Sequence, residues 1–313
     1  MPCLNSPPFW TGGSERQRMG MRFQPSWGPY LALAGGITAL SMSGIFVHWS
    51  SAPGVVTTFY RMVVASLALL PLATWQIRKS GMPPARLLLF PLLGGLFTAL
   101  DQGLWSTAMG YTSIANATLL NNIAPLWVAL FAVFVWRERM NARFWLGLIL
   151  TLLGAAVVLG SDLARHPQLG AGDGIALFSS LFWAGYHLVT QRGRVFIHAL
   201  VYIWMVEVVT AVLLGPSALA LGMPMSGFPR ETWLAILGAG LVSQVMGHFL
   251  LAYALGHLPA SVVAPTMISQ PVFTALLAIP LAGQMLSSGQ WLGGVSVVAG
   301  ISLVNISRLK AEI

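Results

Sequence analysis

The chain has 313 residues, of which 56% are apolar and 8% are charged, far below the roughly 25% charged fraction of soluble domains. Such a composition is that of a membrane protein, and its uninterrupted apolar runs, without strand alternation, exclude a β-barrel. The formal net charge of +8 would suit a nucleic-acid partner, but the positions of the basic residues assign that charge to membrane orientation.

Taken from the start, residues 1–26 contain no apolar core of a cleavable signal peptide and read as a disordered cytoplasmic tail, within which Met19 or Met21 is an alternative start. The single cysteine, Cys3, leaves no intramolecular disulfide and no cysteine-rich metal site, and no metal or other cofactor is expected. Stretches near 20 residues without exposed charge then predict ten transmembrane helices, at about 30–48, 54–75, 86–109, 113–135, 142–160, 173–191, 197–217, 231–253, 261–281 and 287–306. Prolines inside these spans, among them Pro125 and Pro271, are tolerated where neighbouring helices satisfy the freed carbonyls, and both are expected to kink their helices. Trp27, Trp49, Trp75, Trp136 and Trp145 fall at span ends and read as interfacial anchors.

The second half repeats the first at an offset of 146 residues. Residues 108–160 slide onto 254–306 without a gap, with eleven of 53 pairs identical, including Pro125 on Pro271, Trp145-Leu146-Gly147 on Trp291-Leu292-Gly293, and Gly154 on Gly300. That Pro, Trp and Gly landmarks share one register makes the repeat real. Each repeat carries five spans. Because five is odd, the second enters the membrane from the opposite side, so the repeats are inverted. Inverted repeats place a substrate site near the bilayer midplane and support alternating access.

With the N-terminus inside, the cytoplasmic segments hold Arg16, Arg18, Arg22, Arg78, Lys79, Arg86, Arg137, Arg139, Arg143, Arg192, Arg194, Arg308 and Lys310. Only Arg165 and Arg230 fall outside, with Arg61 within a span, so both termini are assigned to the cytoplasm and no nucleic-acid partner is expected.

Over nearly all of 27–307 the chain resembles the drug/metabolite transporter superfamily, in its EamA-like ten-helix branch. The resemblance is carried by Gly110-Tyr111-Thr112-Ser113 leading into a helix with Pro125, by Arg137-Glu138-Arg139, by Trp145-Leu146-Gly147 and Gly154, by Phe59-Tyr60-Arg61, and by Gly172-Asp173-Gly174. It implies an all-α integral membrane fold of two five-helix repeats, 27–160 and 171–307. One departure is that Gln284 holds the position of Glu138 in the second repeat, which puts in doubt any role needing two symmetric carboxylates. The resemblance also implies which helices line the central cavity, and on them lie Trp105, Asn116, Asn121, Asn122, Tyr186, His187, Gln244, His248 and Gln270 as candidate substrate contacts. Amides and imidazoles at that depth need partners, and the alternative for each is an interhelical hydrogen bond. Trp105 and Trp183 lie deep enough to face a cavity, with lipid-facing or core packing as the alternative.

Three ionisable residues inside spans are candidate coupling or gating groups. Arg61 and Asp101 both lie roughly 10–12 Å below the outer surface at 1.5 Å per residue, so they can meet as a gate or as a structural ion pair. Glu207 lies near mid-membrane with no evident basic partner in the second half, which suits a proton carrier or a carboxyl bonded to a neighbouring helix. The small-residue run Gly289 to Gly293 in span 10 is spaced for close packing, against span 5 or a second copy.

No glycine-rich phosphate loop followed by Lys-Ser or Lys-Thr is present, nor His-Glu-x-x-His, nor Gly-x-Ser-x-Gly, so neither ATP hydrolysis nor an intramembrane hydrolase is indicated. The expected function is secondary transport out of a bacterial cell, across the inner membrane, of small amphipathic metabolites that are amino-acid-like or drug-like, as a monomer or homodimer, with protons as the candidate coupling ion. An importer or exchanger of the same architecture, and an intramembrane enzyme on a lipid-linked substrate, are the alternatives.

Overall fold

The computed structural model describes residues 27–160, 170–282 and 286–309. The expected tail 1–26, with Cys3, Met19 and Met21, lies outside the described residues, as do Arg165, Gln284 and Lys310. The described residues form helices α1 (Gly28–Trp49), α2 (Gly54–Ser80), α3 (Ala85–Ala108), α4 (Ile114–Asn121), α5 (Ala124–Phe134), α6 (Ala142–Leu159), α7 (Ala171–Gly193) and α8 (Ala199–Ala220), then α9 (Arg230–Gly238), a π-helical stretch Ala239–His248, α10 (Phe249–Leu255), α11 (Ala260–Met267), α12 (Gln270–Ala282) and α13 (Ser288–Leu309). Starts are set by local chemistry. Pro53, Pro84, Pro229 and Pro259 stand immediately before helices, where a missing N–H costs nothing, while Ser113 and Asn141 cap α4 and α6 with side-chain oxygens.

Among the described residues, nine stretches are long and apolar enough to cross a membrane, counting α4–α5, α9–α10 and α11–α12 as one crossing each. The sequence predicts ten. The remaining helix, α7, has 23 residues, but it carries Ser179, Trp183, Tyr186, His187 and Thr190 at helical spacing along one face, and these lower its hydropathy. That face points inward, since Ser179, Tyr186, His187 and Thr190 are all fully buried.

Two crossings are interrupted at equivalent places. α4 gives way to α5 at Asn122–Ile123, and α11 gives way to α12 at Ile268–Ser269, with Pro125 and Pro271 each the second residue of the following helix. A proline there cannot bond the carbonyl four residues back, so the chain turns before resuming.

Packing follows the 146-residue offset. α6 crosses α13 so closely that a Cβ on Gly147 would lie 2.7 Å from the Gly300 carbonyl, and one on Gly154 2.7 Å from the Gly293 carbonyl. The pairs 147·300 and 154·293 run in opposite senses, so these equivalent helices are antiparallel. α2 and α8 are equivalent and antiparallel too, with Phe59 against Gly215 and Met62, through Gln244, beside Glu207. α1 packs on the π-helical stretch (Ala39 with Ser243, Leu40 with Gly247), as α3 packs on α7 (Phe97 with Gly185). Gly289 takes no part in the close contact of α13, which uses Gly293 and Gly300 against span 5. Outward faces carry Leu67, Leu89, Leu92, Leu146, Leu153 and Leu292, exposed as a lipid-facing surface requires.

Candidate functional site

Two polar clusters lie inside the bundle. The first joins three crossings. Arg61 of α2 donates through Nη2 to Gln244 Oε1 at 2.7 Å, and Gln244 Nε2 in turn donates to Glu207 Oε2 of α8 at 3.4 Å and to Met62 Sδ at 3.0 Å. His248 Nδ1 donates to Glu207 Oε1 at 3.0 Å. Gln244 and His248 both belong to the π-helical stretch, whose wider turn presents the two side chains to one carboxylate. Arg61, Gln244, Glu207 and His248 are all buried. Around them Trp183 stacks on Tyr186 with ring centres 5.1 Å apart, and the His248 ring lies 6.3 Å from Trp183 and 6.1 Å from Tyr186. His187 donates from Nδ1 to the Trp183 carbonyl at 2.8 Å, which leaves its buried Nε2 as an acceptor without a partner among the described residues.

This arrangement corrects two expectations. Arg61 and Asp101 share a depth but not a partner, since Arg61 turns to Gln244 and Asp101 to amides. Depth is set by position along a helix, whereas pairing depends on helix rotation. Glu207 also is not isolated, being held by Gln244 and His248 and lying in the field of Arg61.

The second cluster joins α3, α4 and α7. Asp101 of α3 accepts from Asn121 Nδ2 at 2.7 Å and from Gln102 Nε2 at 3.0 Å, and the Asn121 amide also reaches Ser179 Oγ of α7 at 2.9 Å. Trp127 Nε1 donates to Ser180 Oγ at 2.8 Å. Asp101 is buried, while Gln102, Trp105, Asn121 and Asn122 are half-buried. Trp105 packs with Ala108, Ala117 and Leu120, and the buried Oδ1 of Asn116 has no partner among the described residues. Gln270 stands apart from both clusters and ties α12 to α1, donating to the Leu40 carbonyl at 3.3 Å while its own carbonyl accepts from Ser41.

Sequence reasoning passed over Trp127, Ser179 and Ser180, because serine and tryptophan are ordinary residues in apolar spans. The helical spacing of Ser179, Trp183 and His187 on one face of α7 was the available signal. It also missed the fastening at the 251–267 end. There Gln191 Oε1 accepts from Ala260 N at 2.9 Å, and Arg194 donates from Nε to the Ala252 carbonyl at 2.9 Å and from Nη1 to the Ile197 carbonyl. Burial lowers the Arg194 guanidinium to about 10, so it stays charged at neutral pH. Close by, Glu138 pairs with Arg308 and accepts a long hydrogen bond from Ser261 at 3.5 Å. An apolar groove of about 390 Å³ between α6, α12 and α13, lined by Val158, Val272, Leu276, Trp291 and Val295, lies away from both polar clusters.

Apolar helices facing lipid, equivalent helices packed antiparallel, and polar clusters enclosed between them define a multi-pass membrane protein built for moving small molecules. The chain belongs to the EamA-like transporter family, which matches it twice, over residues 26–160 and 170–306. It is a membrane transporter rather than an enzyme. Its similar proteins include the uncharacterized transporter YwfM of Bacillus subtilis, 26% identical over 81% of this chain and 84% of that one. They also include the pseudopaline exporter CntI of Pseudomonas aeruginosa, 24% identical over 90% of this chain and 96% of that one. A solved crystal structure at 18% identity shares the fold with a TM-score of 0.75, over 90% of this chain and 98% of its own.

Proposed function

We propose that the protein is a secondary exporter of small amphipathic metabolites, amino-acid-like or drug-like, working by alternating access across the bacterial inner membrane with both termini cytoplasmic. In this reading ten helices cross the bilayer, α7 included, because its polar face is buried against α3, α4 and α5 and only its other face meets lipid. The observation that carries the reading is the antiparallel crossing of equivalent helices, 147·300 and 154·293, with polar clusters enclosed between the halves. Two inverted halves can exchange conformations, which opens the space between them to one side and then the other. Export as the direction draws support from the name of CntI, and the excess of Arg and Lys on one side supports the orientation. Arg61, Gln244, Glu207 and His248, with Trp183 and Tyr186, offer a nearly neutral ionic centre beside a flat aromatic surface, which suits a compound having both polar and apolar parts.

The test is purified protein in liposomes loaded with a metabolite extract, with and without an imposed pH gradient, and mass spectrometry of what leaves. Selective, gradient-sensitive loss of a few compounds is expected. Loss no faster than from protein-free liposomes under every gradient would overturn the reading.

A further inference from the structure

Building on the export reading, we propose that Asp101 is where the driving proton binds, and that the exported compound carries a protonated amine that takes the proton's place on the same carboxylate.

The argument starts from how each buried acid is satisfied. Among the described residues, Asp101, Asp173 and Glu207 are the buried carboxylates. Glu207 is answered by His248 and, through Gln244, by Arg61. Asp173 sits in the first turn of α7 and accepts from the Gly170 N–H and the Thr112 hydroxyl, where the helix N-terminus favours an anion. Asp101 has amides alone. Two neutral hydrogen bonds leave a desolvated carboxylate without a compensating cation, and a proton or an ammonium group supplies one.

The surroundings keep other charges away. α4 brings no titratable side chain to the site. On α7, Asp173 is turned to Thr112, His187 to the Trp183 carbonyl, and Tyr186 to Trp183 and His248. Arg61 of α2 is taken by Gln244, and on α8 Glu207 is taken by His248 while Tyr202 is paired with Thr190. None of these groups contacts the Asp101 carboxylate. Access and movement are both provided. Gln102 and Asn121, which hold the two carboxylate oxygens, are half-buried, and Asn121 is the last residue of α4, directly before the Asn122–Ile123 break. Tilting α4 against α5 therefore moves the amide that holds Asp101. The offset counterpart of Asp101 is Gly247, so the site occurs once and takes one proton per cycle.

From the open side a proton from water adds to Oδ2 and gives the neutral acid, whose new O–H donates to the Gln102 side-chain carbonyl once that amide has turned. On the other side the proton leaves to water as the substrate ammonium arrives at the carboxylate. One proton enters for each compound exported, and no bond other than O–H forms or breaks.

Dicyclohexylcarbodiimide reacts with protonated carboxyls in apolar sites, so its use on the purified full-length protein tests the site without a known substrate. Peptide mass spectrometry is expected to find the adduct on Asp101 about tenfold above Glu207, falling about tenfold for each pH unit once the acid ionises. Labelling of Glu207 in preference to Asp101, labelling indifferent to pH, or suppression by sodium but not potassium chloride would each overturn the proton site. The compounds released from the liposomes described above test the second half: those released under the pH gradient must bear a basic nitrogen, and release of compounds without one overturns the competition. Release with Asp101 unlabelled defeats the proton site and leaves export standing. Labelling of Asp101 without any release defeats export and leaves a proton site.

Discussion

The segment 105–121 and its repeat partner 251–267 share a register and an ancestry of sequence pattern, yet one is loosely covered and the other is sealed. Ile114 is 63% exposed, whereas Ala260, at the same place in the second repeat, is 0% exposed. Trp105, Met109 and Asn121 are half-buried, and their counterparts Leu251, Leu255 and Met267 are buried. The physical difference lies in what the first helix of each repeat supplies. Gln191 and Arg194 at the end of α7 grip Ala260 N and the Ala252 carbonyl, while the residue matching Gln191 is Ile45, which has no side-chain hydrogen bond to offer. Equivalent segments of two halves of similar sequence are thus covered and fastened differently.

The comparison can be broken first at the centre that joins the halves. Arg61→Ala removes the guanidinium that donates to Gln244 and faces Glu207, and is expected to cost about 3–5 kcal/mol, read as loss of folded protein on size exclusion in detergent. At the periphery, a Cβ on Gly300 would clash with Thr151 Oγ1 and fall 2.6 Å from the Gly147 carbonyl, so Gly300→Val should lose about 1–3 kcal/mol in thermal unfolding. Gly174→Ala, where a Cβ meets nothing, should leave that midpoint in place. The ends themselves are compared by thiol labelling after Cys3→Ser, which removes the native cysteine. Ile114→Cys should react at least about tenfold faster than Ala260→Cys, and adding Arg194→Ala should narrow the gap by releasing a charged hydrogen bond worth about 1.5–3 kcal/mol. Equal rates would remove the asymmetry. The smallest effect is expected at the Glu138–Arg308 pair, which is partly exposed, so that Glu138→Gln should cost less than about 1 kcal/mol and the loss should shrink as salt is added.

The fold was legible because its signals are carried by composition and repetition. Apolar runs mark the crossings, and Pro125, Trp145, Gly147 and Gly154 reappear in register at 271, 291, 293 and 300. The span expected at 173–191 is present as α7, and it falls short in hydropathy for a readable reason, since its buried face is lined with serine, histidine and threonine. The site was legible in membership more than in arrangement. Glu207, Gln244 and His248 are recognisable as polar residues at mid-depth, but that they meet one another, and that Arg61 joins them and not Asp101, depends on contacts 37 to 183 residues apart in the chain.

By itself the sequence determined how far along its helix each polar group lies, because an α-helix advances by about 1.5 Å per residue. It also determined the duplicated plan. Rotation about each helix was decided only by the tertiary structure. Lipid and protein interior are both apolar, so a span of leucine, alanine and valine gains little by turning one face inward, and its orientation is settled by close glycine contacts and a few hydrogen bonds between helices. Gly147 on Gly300, Gly95 on Val209 and Gly240 on Val64 set those rotations here, and with them the company each acid keeps.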